Sequence, residues 1–530
     1  MNQQAAFSII LFGHHPFVFP SEKKDFSEEE QDYFESLSET WLSLLDMLEI
    51  LEKEAVSFRL GLILSPTLCG MFQDSGLQER YSLWLNKRIN FGEKEIKRCA
   101  ANTEMKALAE LYYSLDCRRK EAITEKYGMD ILEAFNTFQK RGRLEFILTA
   151  ATNAYLPFYP SMKEAIRAQI ETALIHHRKY IGNVPTGFWL PDLGWTTELG
   201  DFLHEYGFSY TITDAHSLCL TRPQAANGIF HPIKTTSGLL IFCRDTAVLY
   251  ETEKHIEAQS SVYRSSHDAG FELSPKALKQ LLGTGNSRCS TGYRYWNNSE
   301  KKKLRLYNPR TASEAAVSAA KTFLEQQSSR LNAAGQHVER PISVCAFNAD
   351  TFFRSWYEGK IFLETLIKEI FRQEPGLLCT ASDYLAGFSG SFQVSDPCFS
   401  SALQNGYAEI LLDASNDWIY RHLFRSIERM VEMTERFSGD TGLRERALNQ
   451  AARELLFAQS TDWSKALNPQ YQCRINRDYA EQELEGALRN FTTIYEALGS
   501  SHISTEWLTA LERKHSFLPY INHRVFCRKK

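Results

Sequence analysis

Paired cysteines, long apolar runs and an excess of charge of either sign are all missing from this sequence. Its 11 cysteines are scattered, with no Cys-x-x-Cys pair and no Cys/His spacing typical of a zinc site. We interpret them as reduced thiols of a cytoplasmic protein, and we expect no bound metal or cofactor. Lys and Arg number 60 against 65 Asp and Glu, a balance that argues against binding to nucleic acid or to an anionic membrane surface.

No stretch approaches the roughly 20 apolar residues of a membrane-spanning helix. The apolar run Phe7–Phe12 is too short for the core of a signal peptide, and the residues before it are not basic. We therefore expect neither a signal peptide nor a membrane segment.

The chain has 530 residues, of which 43% are hydrophobic and 24% charged, as in ordinary globular proteins. This length predicts two to four domains. Aromatic residues reach 12%. They form platforms in sugar-binding clefts, but they also fill large cores, and composition alone favours the core. The oligomeric state is not indicated by the sequence.

Residues 1–395 alternate short apolar runs with amphipathic segments about seven times, and polar residues follow the runs. This alternation is typical of parallel strands joined by helices, and it favours a (β/α) barrel. The predicted strands are Ala6–Phe12, Val56–Leu64, Leu144–Ala150, the run ending at Leu190, Ser209–Ile212, Gly238–Cys243 and Pro341–Phe347. Residues 77–143 lack strand patterns and predict an inserted helical subdomain, whereas residues 247–305 are predicted to be irregular.

After residue 395 the strand pattern stops. Amphipathic segments predict helices at Asp417–Phe437, Thr441–Ser460, Arg477–Leu498 and Ser504–His515. We therefore expect a C-terminal helical domain at 396–530. The polar and aromatic segment Gln459–Trp463 has an ordinary interpretation as a helix end followed by a turn.

The stretch Gly187–Trp195 is the centre of the candidate site. Residues 188–190 are bulky and apolar, and Pro191 cannot donate to a strand ladder, so a buried strand should end there. Asp192 then follows the carboxyl end of a strand, where parallel barrels place catalytic carboxylates. The alternative is that Asp192 caps a helix predicted at Thr196–Tyr206.

Two other polar positions stand out. His14 and His15 follow the first strand and form a plausible edge of a site, although loop histidines satisfied by their neighbours are the commoner case. Glu145 lies inside a predicted strand, which is unfavourable unless the carboxylate is paired or lines a cavity. A paired structural glutamate is the alternative there.

Taken in order, short motifs along nearly the whole chain resemble those of glycoside hydrolase family 57, specifically its α-1,4-glucan branching enzyme and amylase-like branch. Each motif alone is weakly specific, whereas their order and spacing together indicate the family. They are His14–Phe17, Phe58–Thr67, Phe188–Asp192 (similar to W-L-P-E), Thr213–His216, Ala346–Asp350 with Trp356–Gly359 (similar to F-D-x-E…W-x-E-G), Asn416–His422 and Ala458–Trp463.

The resemblance implies a (β/α)7-type barrel with an inserted helical subdomain and a C-terminal helical domain. It also implies retaining cleavage of α-glucosidic bonds by a nucleophile and a general acid/base. The nucleophile position, a Glu in the family, is Asp192 here, and a displacement of about 1 Å can reduce the rate about a hundredfold. The acid/base position, an Asp in the family, is Asn348, whose amide has no titratable proton. Asp350, two residues on, is the candidate substitute.

Other family positions also differ. Phe12 and Asn153 each replace a family His, and the loop that carries a Tyr in branching enzymes reads Gln224–Gly228 without one. Positions that still match the family near its cleft imply a set of substrate-binding residues: His14, Glu145, Trp189, Arg244, Trp356, Asp462 and Trp463.

Two hypotheses follow. The first is an α-glucan enzyme of the branching or transferase type in which Asp192 is the nucleophile and Asp350 the stand-in acid/base. The second is a non-catalytic descendant that binds α-glucan (glycogen, amylose or maltooligosaccharide) or a partner protein through the old cleft. Substitution at both chemical positions, Asp192 and Asn348, favours weak or lost activity.

Overall fold

The computed structural model describes residues 5–21, 25–277, 290–298, 305–500 and 502–529. One sheet lies at its centre, with the neighbour order β3-β2-β1-β9-β8-β6-β5-β4; the neighbours are parallel, and only β7 pairs antiparallel, with β8. The strands are β1 Ala6–Gly13, β2 Leu60–Leu64, β3 Leu144–Phe146, β4 Leu148–Thr149, β5 Gly187–Trp189, β6 Tyr210–Asp214, β7 Ile233–Lys234, β8 Leu240–Arg244 and β9 Ile342–Asn348.

The sheet closes into a barrel at a single residue. β3 and β4 stand at the two ends of the strand order, and only Ile147 separates them along the chain. The Ile147 N–H donates to the Leu62 carbonyl of β2 at 3.0 Å, so one continuous segment pairs with β2 on one side and β5 on the other. Counted this way, seven parallel strands form the ring within the described residues, which confirms the predicted (β/α)7-type barrel.

Side chains alternate between the barrel lumen and the surrounding helices, as a strand requires. In β1, Ala6 and Ile10 belong to the lumen cluster, whereas Phe7 and Ile9 belong to the outer core. The amino end of the barrel is covered by helix Ala381–Ala386, whose Tyr384 packs in the lumen cluster. The carboxyl ends of the strands are left to form the site.

The helices around the barrel begin where the sequence provides capping groups. Ser27 and Glu30 form a capping box, and the Asn308 side chain caps a helix that has Pro309 at its first position. These helices are Glu28–Ser36 and Leu42–Lys53, joined by the π turn Leu37–Trp41, then Lys163–Tyr180, Thr197–Glu205, Ala215–Cys219, Thr246–Ala258, Pro309–Ala334 and Gly359–Gln373.

Helix Thr246–Ala258 corrects the prediction that residues 247–305 are irregular. Its pattern is weak because Val248 and Thr252 are its only buried residues. Residues 278–289 and 299–304 of that region lie outside the described residues. Similarly, β2 begins at Leu60 rather than Val56, since residues 56–59 alternate in burial but form no ladder.

The inserted helical subdomain lies between β2 and β3. Four side chains, Ser65, Asp74, Asn102 and Asp130, each accept a hydrogen bond from a backbone N–H in the first turn of its helices. The helices are Pro66–Gln73, Ser75–Arg98, Thr103–Glu121 and Ile131–Lys140. The boundaries 77–143 stay a prediction.

The C-terminal helical domain is also confirmed, while its predicted start at residue 396 stays a prediction. Its helices are Trp418–Arg436, Leu443–Ala458, Thr461–Leu467, Arg477–Gly499 and Thr505–Lys514. The turn predicted at Gln459–Trp463 is instead the start of helix Thr461–Leu467, because Ser460 accepts a hydrogen bond from the Asp462 N–H and caps it. Across the described part of the chain, no helix is both long and apolar enough to cross a membrane.

Candidate active site

A cavity of about 310 Å³ opens at the carboxyl ends of the strands. The barrel contributes residues that follow β1, β5 and β9, and the C-terminal domain contributes residues around 462–479. The three predicted catalytic positions, Asp192, Asn348 and Asp350, all line it, as do His14 and Asp462 from the predicted binding set. The fold therefore brings together residues up to several hundred positions apart.

Asp192 follows β5 in a left-handed backbone conformation, with φ 52°. Such a conformation is unfavourable for a residue with a side chain, although Asp tolerates it better than most. The Asp192 carbonyl accepts hydrogen bonds from the Ala402 N–H (2.7 Å) and the Ser401 hydroxyl (3.1 Å). These contacts hold the backbone so that the carboxylate points into the cavity. Asp192 does not cap the helix that follows, because helix Thr197–Glu205 is preceded by Thr196 and has no side-chain cap.

The Asp192 carboxylate is paired with Lys465. The Lys465 ammonium donates to both oxygens, at 2.6 and 2.9 Å, and the two side chains are only 14% and 9% exposed. Burial by itself would lower the pKa of Lys465, but Asp192 outweighs this effect and the pKa of the ammonium is raised. Lys465 is therefore a cation throughout the neutral pH range.

Asn348 ends β9, and its side chain is exposed at the cavity. Its amide oxygen accepts a hydrogen bond from the Asp350 N–H at 2.9 Å, which closes a local turn. The side chain can offer N–H and carbonyl groups to a ligand, but it has no proton to give to a leaving group.

Asp350 lines the same cavity, but both of its oxygens already have partners. One accepts from the hydroxyls of Ser36 (2.8 Å) and Thr40 (2.5 Å), and the other pairs with Arg474 at 3.3 Å. Arg354 lies 4.0 Å from the same carboxylate. Ser36 is the last residue of helix Glu28–Ser36, and Thr40 lies in the π turn that follows it. Asp350 therefore connects this helix to the end of β9.

His14 is held between two side chains. Its Nε2 lies 2.7 Å from Asp462 and its Nδ1 2.9 Å from the Ser65 hydroxyl. Burial alone would raise the pKa of Asp462, but His14 and Ser460 outweigh it and lower the pKa to about 2. Because an ionised carboxylate only accepts hydrogen bonds, Nε2–H is the donor in this pair.

A second charged group borders the cavity. Asp32 pairs with Arg354 at 2.5 Å and with His15 at 3.1 Å, and Arg354 also reaches Glu35 at 3.1 Å. Burial would raise the pKa of Asp32, but Arg354 and His15 hold it well below its usual range. On this side of the cavity, a set of paired charges therefore continues from Asp32 and Arg354 to the buried Glu35.

Two of the predicted binding tryptophans are core residues. Trp463 is 1% exposed, packs on Phe457 and donates its indole N–H to the Phe457 carbonyl at 2.7 Å. Trp356 is 3% exposed and packs against Tyr263 and Phe362, away from the cavity. The prediction that these rings contact substrate is not supported by their positions, because neither ring lines the cavity.

The remaining three predicted binding residues lie below or beside the cavity. Glu145 accepts hydrogen bonds from Tyr210 (2.6 Å) and from Ser382 (2.5 Å), which lies in the helix that covers the amino end of the barrel. These contacts fit the alternative interpretation of Glu145 as a paired structural residue. Trp189 is buried and stacks on Phe12 at 5.5 Å, so Phe12 rather than Trp189 lines the cavity. Arg244 is paired with Asp214 at the ends of two neighbouring strands and does not line the cavity.

Sequence reasoning missed several lining residues, of which Lys465 matters most. Its signal was a lysine three residues after Asp462, in the short segment Trp463–Leu467 that otherwise contains only apolar residues and one serine. The other missed residues include the segment 471–475, Tyr479, and Glu29 and Asp32 of helix Glu28–Ser36. Among the residues that the structure describes, no group of three or more His, Cys, Asp or Glu is arranged to hold a metal ion.

Comparison with known proteins matches both parts of the chain. Residues 8–395 match the family model described as glycosyl hydrolase family 57, and residues 422–526 match the model described as 1,4-alpha-glucan branching enzyme, C-terminal. The 1,4-alpha-glucan branching enzyme TK1436 of Thermococcus kodakarensis is 26% identical over 492 residues, which are 86% of this chain and 69% of that protein.

Solved structures agree with this assignment. The structure described as the novel alpha-amylase AmyC from Thermotoga maritima superposes with a TM-score of 0.90 and 29% identity, over 99% of this chain and 100% of that one. The GH57-type branching enzyme from Pyrococcus horikoshii has the same fold, with a TM-score of 0.87, 21% identity and coverage of 99% and 97%. With the family model matched over most of its length, this chain belongs to glycosyl hydrolase family 57.

Proposed function

We propose that this protein binds α-glucan chains in the cavity and has lost, or nearly lost, the double-displacement chemistry of its family. The ligand class rests on family membership and on relatives described as an alpha-amylase and as 1,4-alpha-glucan branching enzymes. The loss of chemistry rests on the side chains at the two reacting positions.

The pairing of Asp192 with Lys465 carries the proposal. A nucleophilic carboxylate has to bring one oxygen onto the anomeric carbon, and that oxygen loses its negative charge as the C–O bond forms. Here the ammonium donates to both oxygens, at 2.6 and 2.9 Å, and the pair is largely withdrawn from water. Attack would require the carboxylate to leave a buried cation unpaired, which raises the barrier in addition to the effect of the shorter side chain.

The acid/base position supports the same conclusion. Asn348 has no proton to transfer, and Asp350 uses both oxygens to accept hydrogen bonds from Ser36, Thr40 and Arg474. A general acid must instead offer its own proton to the leaving oxygen. Asp350 is therefore better suited to holding the cavity wall in place than to the role of stand-in acid.

Groups suited to binding remain. Phe12 offers an apolar face that is supported from below by Trp189, and Asn348 offers both a donor and an acceptor. Asn153 and the hydroxyl of Ser355 add further polar groups to the lining. A cavity with an aromatic face and several placed polar groups has the general form of a small-molecule binding site, and these groups suit the C–H faces and hydroxyls of a sugar.

Turnover is tested by incubating purified protein at high concentration with amylose, followed by debranching and chain-length analysis. The matched control is Asp192→Ala. We expect wild type and control to give the same chain-length profile. Shortened chains or new α-1,6 branches that appear with wild type and vanish with Asp192→Ala would contradict the loss of chemistry.

Binding is tested separately by co-sedimentation with glycogen and by calorimetry with maltotriose. Phe12→Ala should weaken binding at least about fivefold, because it removes the aromatic face of the cavity. Tyr520→Ala, at an exposed tyrosine that packs on Tyr180 and does not line the cavity, should have no effect. Absence of any binding by wild type would reject an α-glucan as ligand and favour a protein partner.

A further inference from the structure

A pair of aromatic rings stands on the carboxyl face of the barrel outside the cavity. Phe399 is 44% exposed, and its ring stacks on that of Tyr407 with centroids 5.9 Å apart and planes at 11°. Tyr407 in turn rests against His216, edge to face, at 5.0 Å. The Tyr407 ring, which is itself supported by His216, thus covers one face of Phe399, whereas the rest of the Phe399 side chain is exposed to solvent.

Backbone hydrogen bonds hold the chain segment that carries this pair. The Ser401 N–H donates to the Gly406 carbonyl at 2.8 Å, which closes the turn that returns Tyr407 to Phe399. Gly406 has φ +80°, and a Cβ there would lie 2.9 Å from the His216 ring, so only glycine fits this turn. The Cys398 N–H donates to the Ser217 carbonyl at 3.1 Å, which joins the segment to helix Ala215–Cys219 after β6.

The same segment continues directly into the site. Three residues after Phe399, the Ala402 N–H donates to the carbonyl of Asp192 at 2.7 Å. An extended chain of that length spans at most about 11 Å, so the aromatic pair lies next to the β5 side of the cavity. His216, which supports it, follows the neighbouring strand β6. The pair and the cavity therefore share one face of the barrel.

We propose that Phe399, supported by Tyr407, is an outer binding platform for an α-glucan chain whose end occupies the cavity; this rests on the proposed function. The C–H faces of glucose rings pack on aromatic faces, whose π surface is electronegative. A ring held in place by its neighbours loses little conformational entropy when a ligand stacks on it. Gln404 and Asn405, both exposed on the connecting turn, offer donors and acceptors for sugar hydroxyls.

The test compares a short and a long ligand by calorimetry: maltotriose and soluble amylose. Phe399→Ala should weaken amylose binding about three- to tenfold and leave maltotriose binding unchanged, since a single aromatic stack is worth about that factor. Phe399→Leu keeps an apolar side chain without an aromatic face and should show the same loss, whereas Phe399→Tyr should bind like wild type. Tyr520→Ala, a similarly exposed tyrosine packed near the end of helix Lys163–Tyr180 before β5, is the matched control.

The outcomes separate this inference from the proposed function. Wild type that binds both ligands, with amylose affinity unchanged in Phe399→Ala and Phe399→Leu, overturns the platform but leaves the cavity as a glucan site. Equal weakening of both ligands also overturns it, because the effect would then lie in the cavity. Wild type that binds neither ligand overturns both proposals, and the exposed pair would then be a candidate contact for a protein.

Discussion

Replacing Lys465 by methionine tests the pairing on which the proposed function depends. The substitution keeps an unbranched side chain of similar length but removes the cation, which leaves the Asp192 carboxylate with one weak partner, the Thr461 hydroxyl at 3.4 Å. Breaking a buried ion pair in this way costs about 3–5 kcal/mol. Because the two side chains keep 9% and 14% exposure, we expect the lower end, about 3 kcal/mol.

A double-mutant cycle isolates the pair. Asp192→Asn is a suitable partner change because Asn, like Asp, tolerates the left-handed backbone at this position. Each single variant leaves a buried charge unpaired, whereas the double variant leaves none. The double variant should therefore lie within about 1 kcal/mol of wild type, with a coupling energy of at least about 2 kcal/mol from urea unfolding at equal slope.

The pH dependence of the coupling energy follows from the raised pKa of Lys465. A cation whose pKa is higher in the folded than in the unfolded protein contributes its full stabilisation below the ordinary lysine pKa of about 10.4 and loses it as pH rises through the folded value. The coupling energy should be constant from pH 6 to 9. A Lys465→Met penalty below about 1 kcal/mol, or no recovery in the double variant, would refute the reasoning.

Three further predictions concern the cavity wall and the core. The pKa of Asp462 is lowered to about 2, so its contribution is present above the ordinary pKa of about 3.9 and lost as pH falls through the folded value; the stability advantage of wild type over Asp462→Asn should shrink by about 2 kcal/mol between pH 4.5 and 2 in urea unfolding. Asp350→Ala should destabilise by about 1–3 kcal/mol, because Ser36, Thr40 and Arg474 lose their acceptor; a change in glucan products without a change in stability would contradict this. Trp463→Ala should cost about 3–5 kcal/mol by chemical denaturation as a core deletion, and a stable variant with weakened glucan binding would show that this ring contacts ligand after all.

The barrel was predictable because its strands are buried on both faces and read as short apolar runs. β1 was predicted to within one residue for this reason, and it is buried almost throughout. Val56 and Phe58 also alternate in burial with exposed neighbours, but they have no ladder partner, so the start of β2 was placed too early. Pairing partners, unlike apolar patterns, cannot be read from a single segment.

The shared location of the three predicted catalytic positions was predictable because each lies at or within three residues of the carboxyl end of a strand, and these ends meet at one face of a barrel. The environments of the aromatic residues were not predictable, because an aromatic residue in a core and one on a binding surface have the same sequence pattern. Only the packing shows that Trp356 and Trp463 are buried and that Phe399 is exposed. Lys465 was missed because its partner, Asp192, is 273 residues away in the chain.

The most direct test of the account is whether Asp192 can form a covalent bond to sugar at all. α-Maltosyl fluoride has a leaving group that needs little protonation, so it removes the requirement for an acid at Asn348 and interrogates the nucleophile alone. Intact-protein mass spectrometry after long incubation should show no glycosyl adduct on wild type, as on Asp192→Ala. An adduct on wild type that maps to Asp192 and is missing from Asp192→Ala would contradict the account, since it would show that the pairing with Lys465 leaves the carboxylate nucleophilic.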